Sequence, residues 1–221
     1  QPMLHHMPTG NLLLASSILL SGGTFAQISR MMAIMHTPCI SASQYHRIQA
    51  TYLCPVVNEF WVNHQDAILS VLSENPVTVC GDARSDSPGF GAKYTSYTPM
   101  DMVSRLIIDQ QLAQVTETGS SVKMEKLGLE RSLQFVIGSG ISIKVLATDR
   151  HLGIQAFMKA EYPQIEHQFD VWHVAKSVKK KLTQKASKKE ASELLPWIPS
   201  ISNHLYWSAQ SSEGDPDLLV E

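Results

Sequence analysis

The sequence predicts an α/β protein in which a mixed sheet with flanking helices is preceded by an all-α segment. Three observations predict it. Apolar residues recur at helical spacing from Gly10 to about Ser73, the period drops from 3.6 to 2 directly after Pro76, and strand and helix patterns alternate from Ser120 onward. The boundaries follow: a helical segment over 1–75, an α/β core over 76–182, and, over 183–221, the start of a helical insertion or a truncated C-terminal part. Hydrophobic residues at 43% and charged residues at 17% of the 221 exclude a disordered chain and leave enough apolar material for a core.

The helical segment reads as follows. Thr9 or Asn11 can cap a first helix that stops at Ser21-Gly22-Gly23. Thr24 can cap a second, in which Phe25, Ile28, Met31, Met32 and Met35 share a face. Ser41 or Ser43 opens a third carrying Tyr45, Ile48 and Tyr52, which Pro55 is expected to interrupt before Phe60, Trp61, Ile68 and Val71 resume the pattern. Nothing in this stretch reads as a strand. Two short helices, a turn and a third helix with exposed polar residues make the pattern of a helix-turn-helix. A three-helix bundle without DNA contacts has the same pattern.

In the core, Val77-Thr78-Val79 runs into Cys80-Gly81-Asp82, a strand that ends on a carboxylate. Asp86-Ser87-Pro88-Gly89 is turn chemistry, and 97–103 and 105–115 read as two further strands of an antiparallel meander. Ser120 and Ser121 open a helix with Met124, Leu129, Leu133, Val136 and Ile137 on its apolar face, stopped by Gly138-Ser139-Gly140. The strand over 141–148 again ends on an acid, Asp149. A helix over 152–160, a short strand over 165–169 and a helix from near Trp172 complete the order. Three antiparallel strands followed by alternating helices and parallel strands is the topology of the ribonuclease-H-like fold.

That topology sets the first and fourth strands side by side, about 4.8 Å apart, so Asp82 and Asp149 are expected to face each other. Two carboxylates so placed call for a hard cation, Mg²⁺ or Mn²⁺ rather than zinc, and such a site serves phosphodiester cleavage or strand transfer. Taken singly, either aspartate is more simply a turn former. His151 reads as an ordinary surface or core histidine, and Gly138-Ser139-Gly140 is too short for a phosphate loop.

The segment Tyr162-Pro163-Gln164-Ile165-Glu166-His167-Gln168-Phe169-Asp170-Val171-Trp172-His173 resembles the signature that follows the second aspartate in DDE-type transposases of the Mutator-like group and related insertion sequences. Asp170 and His173 match its Asp-x-x-His step, Thr148-Asp149-Arg150-His151 the step before it, and Gly81-Asp82 the first acid. The stretch Asp86 to Tyr94 and the segment Trp197 to Trp207 resemble animal proteins derived from such transposases. The resemblance implies a ribonuclease-H-like catalytic core acting on DNA, with Asp82 and Asp149 as catalytic metal ligands and Asp170 and His173 as accessory residues. It also implies a third acid, a glutamate beyond an insertion. Glu190, Glu193 and Glu213 lack a matching context.

Seven lysines fall between Lys176 and Lys189, while the last nine residues hold four acids. On a helix, Lys176, Lys179, Lys180, Lys181 and Lys185, joined by Lys188 and Lys189, are suited to neutralising phosphates, or they are a solvated face. The expected partner is DNA. No small-molecule cofactor is called for, and the pattern is compatible with an oligomer. A rival expectation is a domesticated module that binds DNA or protein without catalysis. Cys39, Cys54 and Cys80 fit neither a disulfide framework nor a zinc motif, and the run Leu12 to Leu20 is about half the ~20 residues of a membrane span. A nuclear or otherwise intracellular, non-membrane protein is expected, and the chain reads as a piece of a longer polypeptide.

Overall fold

A computed structural model describes residues 3–4, 7–149 and 151–212, which divide into two compact units, Gln1–Ala67 and Ile68–Glu221. Arg150 and Glu213, singled out in the sequence, lie outside the described residues.

The first unit opens with two strands of two residues each, β1 (Met3–Leu4) and β2 (Met7–Pro8), paired antiparallel. No strand is expected here from the sequence, because segments this short are too brief to show a period of two. Helix α1 (Thr9–Leu20) begins after Pro8 with no side-chain cap, so Thr9 and Asn11 are not the caps expected of them. Proline supplies the extended backbone that a cap position requires. Thr24 does cap α2 (Phe25–Ile34), in a capping box with Gln27, and Ser41 caps α3 (Ala42–Ile48) by accepting from the Gln44 amide. Ala15, Ile18, Tyr45 and Ile48 form the core of this unit, with Phe25 stacked on Tyr45 at 4.8 Å between ring centroids.

Pro55 does not interrupt the helix it follows. A π-helical turn, Gln49–Leu53, links α3 directly to α4 (Cys54–Leu72). A proline within a helix removes one amide donor and crowds the preceding turn. The wider turn ahead of it gives the chain room to continue.

In the second unit β3 (Val77–Ser85) and β4 (Tyr94–Asp101) form a hairpin. The Asp86 carboxylate closes its loop by accepting from the Lys93 amide at 3.1 Å, and Gly89 takes a left-handed φ of 75° within it. The second strand thus starts earlier than expected, and the third is much shorter: β5 covers only Gln111–Gln114. Residues 102–110 form a loop. The Ser104 amide donates to the buried Asp101 carboxylate at 2.6 Å, and Arg105 adopts a left-handed φ of 60°, which breaks the strand that Ile107 and Ile108 suggest. A short helix α5 (Val115–Thr118) precedes α6 (Ser121–Gly138). Then follow β6 (Ile143–Thr148), α7 (Leu152–Glu161), β7 (Glu166–Phe169), α8 (Val171–Ala186), a 3₁₀ stretch over Lys189–Trp197, and α9 (Ile198–Ser211).

The five strands lie in the order β5-β4-β3-β6-β7. The first three are antiparallel, while β3–β6 and β6–β7 are parallel. The chain is therefore α/β with a mixed sheet and flanking helices. Helices α6 and α7 cover one face, where Val79, Tyr97, Leu129, Leu133, Leu146, Ile154 and Met158 make the main core. Residues that alternate with these, such as Thr78, Cys80, Thr98 and Met100, are half-buried on the other face. Among the described residues no helix is long and apolar enough to cross a membrane.

Tyr97 occupies the tightest place in this core. A side chain on Gly128 of α6 would put its Cβ 2.6 Å from Tyr97 Cβ, and one on Gly81 of β3 would come within 2.6 Å of Tyr97 Cζ. Alanine in mid-helix ordinarily gains about 1 kcal/mol over glycine. At Gly128 the sign should reverse, because the clash falls on an atom fixed to the backbone of β4. We expect Gly128→Ala to lower the stability measured by urea unfolding by about 1–3 kcal/mol, the usual cost of overpacking.

Candidate active site at the parallel strand ends

Strand register brings the acids together. Cys80 pairs with Ala147 and Thr148 with Phe169. Counting two residues on from the first pair levels Asp82 with Asp149, and one on from the second levels Asp149 with Asp170. The Asp170 amide still donates to the Thr148 carbonyl at 2.8 Å. Asp82 faces Thr98 on the antiparallel side. Three acids thus stand level at the ends of three neighbouring strands, whose backbones run about 4.8 Å apart.

They open on one cavity of about 290 Å³, lined by Asp82, Asp149, Asp170 and His173, with Met100 and Ile107 in its wall. All four residues that the sequence proposed as catalytic or accessory are gathered there. Asp82 is exposed, with one oxygen accepting from the Ala83 amide at 2.8 Å. Asp149 is half-buried, and its Oδ1 is buried without a hydrogen-bond partner. Thr148 beside it is held by its hydroxyl, 2.8 Å from His167 Nε2. Burial pushes the His167 pKa down, which favours the neutral ring at this contact. Cys80, one register step behind Asp82, has its thiol pKa raised, first by burial and then by the charges of Asp170, Asp101 and Asp82.

The Asp170-x-x-His173 step has a local structural meaning as well. Asp170 is the N-cap of α8: one carboxylate oxygen accepts from the Trp172 amide at 2.9 Å, and the other lies 2.8 Å from His173 Nδ1. Capping orients both side chains at the cavity rim. His151 likewise caps α7, accepting from the Ile154 amide through Nδ1 at 3.3 Å.

The five lysines from Lys176 to Lys185 are exposed along α8, while Ala175 and Ala186 are buried. Lys176 Nζ lies 4.4 Å from the Trp172 ring centroid, a cation–π contact at the end of the helix nearest the cavity. Lys188 follows the end of α8. Glu190 and Glu193 are exposed in the 3₁₀ stretch, and neither lines the cavity.

Sequence reasoning missed one acid and one phenol. Glu125, on α6, is half-buried where the charges of Asp149 and Asp82 act on it. Its pKa is pushed up to about 7, first by burial and then by the charges of Asp149 and Asp82. Tyr97 is fully buried, its hydroxyl has no hydrogen-bond partner, and its phenol pKa is raised by burial and by Glu125, Asp82 and Asp149. The signal for Glu125 was present. It sits three residues before Gly128 and seven before Ser132, both buried, so a carboxylate occupies the sheet-facing stripe of an amphipathic helix.

The donors here are hard carboxylate oxygens, of which Asp149 Oδ1 is buried and unpartnered, as is the Tyr97 hydroxyl. That chemistry suits Mg²⁺ or Mn²⁺. Among the described residues, however, no three His, Cys, Asp or Glu side chains already converge as a metal-holding group. In comparisons with known proteins, no protein-family model matches the chain and no curated protein matches it.

Glu125 makes stability fall with pH. Its folded pKa lies above the ordinary carboxyl value of 4.5, so between 4.5 and about 7 the folded state holds a proton that the unfolded state has released. Its contribution is fully present below 4.5 and is lost as pH rises through about 7. In metal-free buffer, Glu125→Gln should therefore match the wild type in thermal melts near pH 4.5 and melt higher near pH 8. Equal melting temperatures at about pH 8 would contradict the placement of Glu125 beside the two aspartates.

Proposed function

We propose that the chain is a transposase-derived, DNA-acting protein with a ribonuclease-H-like core of the DDE type. One observation carries the reading: Asp82, Asp149 and Asp170 stand in a single register row at the parallel strand ends and open on one cavity. The strand order β5-β4-β3-β6-β7 supports it, since that order with a leading meander is what the ribonuclease-H-like fold requires. Asp82 and Asp149 are the residues that would hold Mg²⁺ or Mn²⁺. Such an ion, when bound, activates a water or 3′-hydroxyl and stabilises the charge developing on a phosphodiester.

The chain's own groups have definable tasks. Asp170 fixes the start of α8 and keeps His173 at the cavity rim, where the imidazole can contact a DNA strand. Lys179, Lys180, Lys181 and Lys185 extend away from that rim and can neutralise successive phosphates, with Lys176 and Trp172 nearest the cavity. The exposed His46 and Arg47 on α3 are the groups a helix-turn-helix reading of the first unit would bring to DNA. A nuclear or other intracellular site of action follows from a DNA substrate.

A second reading has its own support. Because no three metal-holding side chains converge among the described residues, the fold and the basic helix could serve a module that binds DNA or protein without cutting. Two measurements separate the readings. Calorimetric titration with Mn²⁺ should show binding in the wild type that Asp82→Ala abolishes; indistinguishable titrations would sink the catalytic reading. Duplex binding should weaken steeply with salt, and changing Lys179, Lys180, Lys181 and Lys185 to Gln should flatten the log–log slope by about one unit for each phosphate left without its lysine. A slope unaffected by those changes would remove α8 from the interface.

A further inference from the structure

We propose that Trp172, together with Lys176, is a stacking subsite for one unpaired base of a DNA strand whose backbone enters the cavity. This rests on reading the cavity as a place that receives DNA. It adds the form of the substrate, a single-stranded or locally opened segment.

The indole is the first support. Trp172 is 49% exposed, although tryptophan is on average a highly buried residue. It directly precedes His173, which lines the cavity along with Asp170. Contacts on its helix hold the ring in place. The His173 ring stands at 84° to it with 4.7 Å between centroids, and His173 Nδ1 in turn lies 2.8 Å from the Asp170 carboxylate. A large apolar plane is thus fixed at the cavity rim, with little rotamer freedom left to lose when something lies on it.

Lys176 is the second support. One turn further along α8, its ammonium sits over the indole, 4.4 Å from the ring centroid. At an exposed site such a pair contributes little by itself. The lysine stem is flexible, so a base arriving on that face displaces the ammonium toward the phosphate of the same nucleotide. The pair offers a ring for the base and a charge for the phosphate, the two elements of a single-strand site. Lys179 and Lys180, both exposed, lie on the same side of the helix and continue the charge along the backbone.

The form of the strand follows from geometry. Within a duplex the faces of each base are covered by its neighbours, and a protein reaches only base edges, sugars and phosphates. An indole can stack there only on a base that has left its pair. The cavity agrees, since about 290 Å³ is near the lower limit for one small ligand and too small for a duplex.

Fluorescence anisotropy with the full chain tests this in EDTA, where no strand is cut. The probes are a labelled single strand of about 12 nucleotides, its duplex, and an abasic strand of the same length that carries phosphates without bases. Circular dichroism is the folding control. Trp172→Ala should weaken binding of the single strand about tenfold or more, bind the duplex and the abasic strand as the wild type does, and leave the salt slope unchanged. Trp172→Phe should recover most of the loss. A Trp172→Ala variant that binds the single strand like the wild type overturns the subsite, and so does one that weakens all three probes alike. In either case, a salt slope that still depends on the α8 lysines leaves the DNA reading standing. A wild-type chain that binds none of the three probes overturns both.

Discussion

Parallel pairing of β3 with β6 is the constraint from which the rest of the second unit follows. The two strands are separated by the β3–β4 hairpin, β5, α5 and α6, so their pairing orders a long stretch of chain, at an entropic cost that grows only slowly with its length. It is held on one face by Val77, Val79, Ile143 and Leu146, which pack under α6 and α7. The same pairing levels Asp82 with Asp149. Apolar burial on one side of the sheet therefore fixes where two acids stand at its end.

Much of this is legible in the sequence, because the informative signals are local. A strand that ends on an acid can be read from a few residues, and two such strands in an order that makes them neighbours imply the row that the register displays. Asp170 and His173 are singled out by their resemblance to a family signature, and the structure gives the step a local meaning as a helix cap and its neighbour. Other features depend on contacts between distant residues. Ile107 and Ile108 look like strand, yet the Asp101 carboxylate captures the Ser104 amide and turns the chain. Pro55 looks like a break, yet a wider turn before it absorbs the missing donor. Glu125 hides among the polar residues of its helix, because Met124, Leu129 and Leu133 dominate the apolar pattern while Gly128 and Ser132, which mark the closest approach to the sheet, add nothing to it.

The acids at this site divide by environment. Asp82 is exposed and supported by a neighbouring amide, so its charge is solvated. Asp170 accepts from the Trp172 amide at the start of α8 and lies beside His173 Nδ1. Glu125 has neither form of support, and burial pushes its pKa up. Burial beside Asp149 and Asp82 thus sets Glu125 apart from acids supported by solvent or a helix terminus.

Tyr97 and its two glycines carry a historical consequence. The ring fills the space left by missing side chains at Gly81 and Gly128, so none of the three positions can change freely while the others stay as they are. A smaller residue at 97 would open a void between helix and sheet, and a larger one at 81 or 128 would have nowhere to go. Positions 81, 97 and 128 should therefore have drifted through evolution as a linked set. Because Gly81 immediately precedes Asp82, the packing of the interior also limits which neighbours the first acid of the row can have.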